Sequence, residues 1–198
     1  MKRVYPLFLI IILFLFFLVI NHSHNVKIRQ MEEKFKEKIK QKENFIDSLN
    51  YKFDRLYNTI DSLPLGLPLD TFVLKDDFGV RKHPIYGKWQ MHSGVDLIDT
   101  WRDTVYSTGA GVVISARRNQ GYGKTIKIQH AFSFITTYAH LHKIFVKKDQ
   151  NIKKGDPIGI MGATGHVTGQ HLHYEISYNE EKVDPLPYLE STPSYVLK

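Results

Sequence analysis

The chain has 198 residues, enough for one full domain plus accessory segments and too few for two large domains. Its formal net charge is +7, but it has no Arg-rich patch and no nucleic-acid motif, so a mildly basic surface is expected rather than a nucleic-acid interface. With no cysteine, disulfides, thiolate ligation of a metal and thiol catalysis are excluded, and any metal must be held by His and carboxylates.

Val4 to Ile20 is an uncharged run of 17 residues, mostly Leu, Ile and Phe, at the short end of a membrane span. Lys2 and Arg3 precede it. A cleaved signal peptide would end in small residues, whereas this run exits into Asn21-His22-Ser23-His24-Asn25. An uncleaved anchor over residues 1–25 is therefore expected. Lys2 and Arg3 favour the N-terminus inside, while Lys27, Arg29, Lys34, Lys36, Lys38 and Lys40 after the span oppose that orientation. The charge-then-apolar order of a secretory signal argues for the body of the protein outside.

Residues 26–63 are expected to form a charged helical stalk. Phe35, Ile39, Ile46, Leu49, Phe53, Leu56, Ile60 and Leu63 recur at spacings of four and three, with Lys42 as a polar interruption. The seam fits a coiled-coil homodimer or a single amphipathic helix laid against the domain. Pro64-Leu65-Gly66-Leu67-Pro68 ends the helix and opens a linker over residues 64–70.

From residue 71 to 198 short β-branched and aromatic runs alternate with Gly-containing turns, the texture of an all-β domain. Examples are Gly111–Ser115, Lys124–His130, Phe134–Leu141 and His171–Tyr178. Eight of the ten His lie between His83 and His173. Three clusters stand out: His92-Ser93-Gly94-Val95-Asp96, His140-Leu141-His142 and His171-Leu172-His173. On a strand, residues i and i+2 share a face, so His171 and His173 are expected to project together. His92 and Asp96 share a face if their segment is extended, with Gly94 leaving room for an ion. Two imidazoles and a carboxylate with an open fourth position make a catalytic rather than a structural zinc pattern. Spacing alone leaves open whether the pair at 140 and 142 or the pair at 171 and 173 binds the metal.

The stretches Phe78-Gly79-Val80-Arg81, His92-Ser93-Gly94-Val95-Asp96, Tyr138-Ala139-His140-Leu141 and Gly162 through His173 resemble the lysostaphin-type (LytM-like) zinc endopeptidases over about Phe78 to Leu189. The resemblance implies a mainly β fold: a two-layer antiparallel β-sheet domain with an open groove, here behind a transmembrane helix and a stalk. It implies one zinc ion per chain, held by His92, Asp96 and His173, with His140 and His171 as unligated catalytic histidines. His142 departs from the family pattern and is given no metal role. His83 and His166 are expected at the groove rim. Trp101-Arg102-Asp103 replaces the family's usual small turn. Glu175 is read as structural and Tyr122 as an ordinary turn aromatic.

The activity implied is hydrolysis of peptide cross-links in bacterial peptidoglycan, as a D,D-endopeptidase in cell-wall remodelling. The partners expected are stem peptides, the inner membrane and a second copy through the stalk, and the domain would face the periplasm of a Gram-negative cell. The alternative is a non-catalytic activator or scaffold for another wall hydrolase. That role needs no complete ligand set, whereas all five His and Asp positions are present.

Overall fold

The computed structural model describes residues 5–82, 87–99 and 103–190. His83, Trp101, Arg102, Lys2 and Arg3 lie outside the described residues. Two compact units separate by their internal contacts, Met1–Arg55 and Leu56–Lys198.

A single helix, α1, runs Tyr5–Asp61. Pro6 sits in its first turn, where a missing N–H costs no helical bond. No other Pro and no Gly occurs before Pro64, so nothing interrupts the helix between apolar run and charged segment. The chain stays helical through Asn21–Asn25, where the sequence marked the end of the anchor. The stretch behind Phe8 is long and apolar enough to cross a membrane. Phe35, Ile39, Ile46, Leu49, Phe53, Leu56 and Ile60 are exposed. Ser62 closes the helix by donating its hydroxyl to the carbonyls of Asn58 and Thr59, both at 2.9 Å.

The remaining elements are β1 (Val73–Asp76), β2 (Gly79–Lys82), β3 (Trp89–His92), β4 (Val95–Ile98), β5 (Thr104–Tyr106), β6 (Gly111–Asn119) and β7 (Gly123–Gln129). They continue with β8 (Phe134–Leu141), β9 (Lys143–Ile144), β10 (Asn151–Ile152), β11 (Pro157–Ile160), β12 (Leu172–Tyr178), β13 (Glu181–Val183) and the short helix α2 (Leu186–Glu190). An eight-stranded antiparallel sheet has the order β1-β4-β12-β8-β7-β6-β10, with β13 paired to β12. A three-stranded sheet has the order β5-β11-β9, and β2 pairs with β3 in a separate hairpin. The expectation of a mainly antiparallel β domain is borne out.

The core joins residues of the large and the three-stranded sheets. Leu97, Ile126, Ile128, Leu172, Tyr174 and Ile176 meet Val105, Ile158 and Met161, all fully buried. Truncating one of these, as in Leu172→Ala, is of the class that costs about 2–5 kcal/mol. Strand alternation then does the functional work: Leu172, Tyr174 and Ile176 enter the core, which turns His173 and Glu175 to the opposite face of β12. The buried hydroxyls on the core side are satisfied. Tyr138 and Tyr174 are cross-strand neighbours, and both phenols hydrogen-bond the Thr108 hydroxyl, at 3.0 and 2.9 Å. The segment 64–70 is bonded into the domain: Gly66 N–H donates to Thr108 O at 2.7 Å, Pro68 O accepts from Tyr106 N–H, and Leu69 is fully buried.

Candidate active site

The site is built where β4 and β8 flank β12. His173 is in direct register with Asp96 of β4 on one side and Ala139 of β8 on the other. His92 ends β3, in the separate hairpin, and Asp96 lies in β4. The two are therefore not on one continuous extended segment as the sequence suggested, because the chain breaks at Ser93-Gly94. Gly94 does not make room for an ion either. A Cβ there would fall 2.3 Å from Tyr174 O and 2.8 Å from Glu175 Cγ, so glycine is needed for β4 to seat against β12.

The side chains nevertheless converge. His92 Nε2, Asp96 Oδ1 and His173 Nδ1 form a triangle with edges of 3.2, 3.1 and 2.8 Å. Four-coordinate zinc at ~2.0–2.1 Å from each ligand separates them by about 3.3–3.4 Å, so the triangle is close to one face of such a tetrahedron. These three residues could hold a metal ion. Each ring also has its other nitrogen committed. His92 Nδ1 donates to Asp77 O at 2.6 Å, and His173 Nε2 donates to Glu175 Oε1 at 3.1 Å. That leaves a lone pair on the nitrogen facing the triangle, the arrangement a metal-binding imidazole needs.

His140 and His171 stand beside the triangle with ring centroids 4.8 Å apart. His140 Nδ1 donates to Thr164 O at 2.8 Å and His171 Nδ1 to Gly169 O at 2.9 Å. His171 Nε2 lies 3.6 Å from Asp96 Oδ1. Burial lowers the pKa of both, His140 to about 4, so each is a neutral base at neutral pH. Within the triangle the balance is reversed. Burial opposes the charged forms, yet hydrogen bonds to His173 and His92 hold the Asp96 carboxyl far below the usual range. Hydrogen bonds to Asp96 and Glu175 raise His173 to about 9 against the effect of burial, so a metal bound at Nδ1 would displace a proton to gain the lone pair there.

His140 and His142 do not share a face. His140 has φ of 61°, a left-handed conformation costly for a residue with a Cβ, and the strand alternation breaks there. His140 is buried beside the triangle, whereas His142 is exposed. The left-handed turn is held by His140 N–H to Tyr122 O at 2.9 Å and Thr164 N–H to His140 O at 3.3 Å.

An open groove of about 300 Å³ lies over these groups, and Arg81, Tyr122, His166 and Thr168 are among its lining residues. Tyr122, expected as an ordinary turn aromatic, forms part of the groove wall, with its ring edge-on to His173 at 5.6 Å. Burial and the neighbouring Glu175 push its phenol up to about 12. Arg81 Nη2 approaches Asp96 Oδ2 at 3.4 Å, a contact the sequence offered no spacing to suggest. Gly165, at φ of 89°, packs the 162–165 loop onto the turn before β7, with a would-be Cβ 2.3 Å from Gly121 O.

Residues 90–185 match peptidase family M23. The chain carries an M23 peptidase domain. It is 37% identical over 137 residues to the peptidoglycan DD-endopeptidase ShyB of Vibrio cholerae serotype O1, covering 68% of this chain and 32% of ShyB. The chain thus spans about a third of the length of that relative. Among solved structures the M23 domain is similar to a zinc containing peptidase from Vibrio cholerae, with a TM-score of 0.56 and 40% identity, over 59% of this chain and 37% of that one. It is also similar to the catalytic domain of the antimicrobial peptidase lysostaphin from Staphylococcus simulans, with a TM-score of 0.55 and 29% identity, over 60% and 92% of the two chains. The expected resemblance to lysostaphin-type peptidases is borne out.

Proposed function

We propose that this chain is a zinc-dependent endopeptidase that hydrolyses the peptide cross-links of bacterial peptidoglycan, acting on D,D bonds. The observation that carries the reading is the His92–Asp96–His173 triangle, with its outer nitrogens already bonded, beside two neutral histidines in one open groove. One zinc ion per chain would be held by His92 Nε2, Asp96 Oδ1 and His173 Nδ1. Bound there, it would supply Lewis-acid polarisation of the scissile carbonyl and acidify an attacking water.

The chain's own groups account for the rest. With the proton fixed on Nδ1, His140 and His171 present Nε2 lone pairs. One takes the proton of the attacking water at Nε2 and returns it to the leaving amine, and the other accepts a hydrogen bond from that water at its own Nε2 and orients it for attack. Desolvation keeps both neutral before the reaction, as a general base requires. The D,D preference rests on similarity to ShyB, whose name states that activity. The apolar start of α1 supports anchoring in the inner membrane, with the domain outside it, where peptidoglycan lies.

The test combines zinc content with digestion of purified peptidoglycan. About one zinc per chain and conversion of cross-linked muropeptide dimers to monomers are expected. Zinc-loaded protein that leaves the dimers intact would exclude the enzyme and leave an activator of another hydrolase.

A further inference from the structure

Glu175 is only 1% exposed, and no ligand role accounts for its carboxylate. A carboxylate that deeply buried is costly unless its oxygens are well bonded. Here they are. Oε1 accepts from His173 Nε2 at 3.1 Å, from Tyr122 OH at 2.8 Å and from the Ser93 hydroxyl, and Oε2 accepts from Lys182 Nζ.

The four donors come from four places in the chain. Ser93 directly follows His92, Tyr122 is on the groove wall, His173 is two residues away on the same strand, and Lys182 lies on β13. The backbone at Gly94 is seated on the same side chain, since a Cβ there would meet Glu175 Cγ. Glu175 therefore touches both segments that deliver a triangle histidine.

We propose that Glu175 is the positioning residue of the metal centre. Its carboxylate holds the His173 ring with Nε2 protonated and Nδ1 turned to the ion, and its bond to Ser93 sets the turn that carries His92. The negative charge on the outer nitrogen strengthens His173 as a ligand. Lys182 offsets that charge from β13, so a second buried carboxylate is tolerated beside Asp96. This inference rests on the reading of His92, Asp96 and His173 as metal ligands.

The experiment uses the full 198-residue chain in detergent micelles. Glu175→Gln keeps the shape and removes the charge. Its zinc affinity, measured by chelator competition, should fall about 10–100-fold. In the zinc-loaded, 15N-histidine-labelled chain a His173 Nε2 proton should be observed, and it should shift upfield in the variant while the His142 signals stay. If Lys182 left without its partner prevents folding, Glu175→Gln with Lys182→Met removes both charges together and should bind zinc equally weakly. Unchanged zinc affinity in either folded variant overturns the proposal. So does zinc on Nε2 of His173 in the unsubstituted chain, a readout that needs no variant. An unsubstituted chain that binds no zinc overturns the metal-site reading instead.

Discussion

At the scale of single residues, the proposed mechanism separates groups that hold an ion from groups that move protons. In the proposed centre Asp96 would contribute one ligand atom and one negative charge, so Asp96→Ala should lose most of the zinc, as metal analysis of the purified chain would record. Unchanged zinc content would contradict the ligand set. In the proposed mechanism His140 acts only in the reaction, so His140→Ala should retain zinc and lose roughly 10²–10⁴-fold in cleavage rate. His142→Ala, altering an exposed side chain beyond the left-handed residue, should keep substantial activity. Loss of metal from the His142 variant with normal turnover in the His140 variant would reverse the assignment. His130 is a different kind of histidine. It is buried, donates from Nδ1 to Ala110 O at 2.9 Å and accepts at Nε2 from the Thr136 hydroxyl at 2.8 Å. Burial lowers its pKa despite the Ala110 bond. The unfolded chain therefore takes up this proton first as pH falls. The stability His130 contributes is complete above its ordinary pKa of ~6.5 and is lost below it at roughly 1.4 kcal/mol per pH unit, until its own lowered pKa is reached. His130→Gln should show a shallower fall in Tm between pH 7 and 5 than the parent; equal slopes would exclude this role.

At the scale of elements, two strands and a helix carry the argument. β12 reads directly from its sequence, because Leu172, Tyr174 and Ile176 define the core face and leave His173 and Glu175 on the other. The His92–Asp96 stretch does not read so simply, because its two halves join different sheets. The helix α1 exposes the apolar seam from Phe35 to Ile60. If that seam closes against a second copy, residues 26–198 should sediment as a dimer. Ile46→Asp with Leu56→Asp should then give monomers by placing charge in the interface. A monomer in the unsubstituted fragment would exclude the coiled coil.

At the scale of the whole molecule, the proposed activity requires the domain and its polymer to share a compartment. Protease added to spheroplasts should therefore digest residues 21–198, and protection of the domain would overturn the proposed topology. Cleavage of a pentaglycine peptide beside persistent muropeptide dimers would overturn the D,D choice while leaving the peptidase reading in place.

The sequence by itself determined the β texture of the domain, an apolar and a charged helical segment before it and the three His clusters, because periodicity, Gly and Pro placement and residue chemistry are local properties. It also marked His171, Leu172 and His173 correctly as alternating sides of one strand register, since burial of Leu172 fixes the rest. Spacing did not separate His140 from His142; the family resemblance named His140, and the tertiary structure supplies the physical reason. That choice is made by a left-handed φ at His140, held by bonds to Tyr122 and Thr164 from two other loops. Only the fold, too, turned Gly94 from a space for an ion into a contact with β12, and brought Ser93, Tyr122 and Lys182 onto Glu175. Such contacts join residues up to 82 positions apart, and no local pattern encodes a partner at that distance.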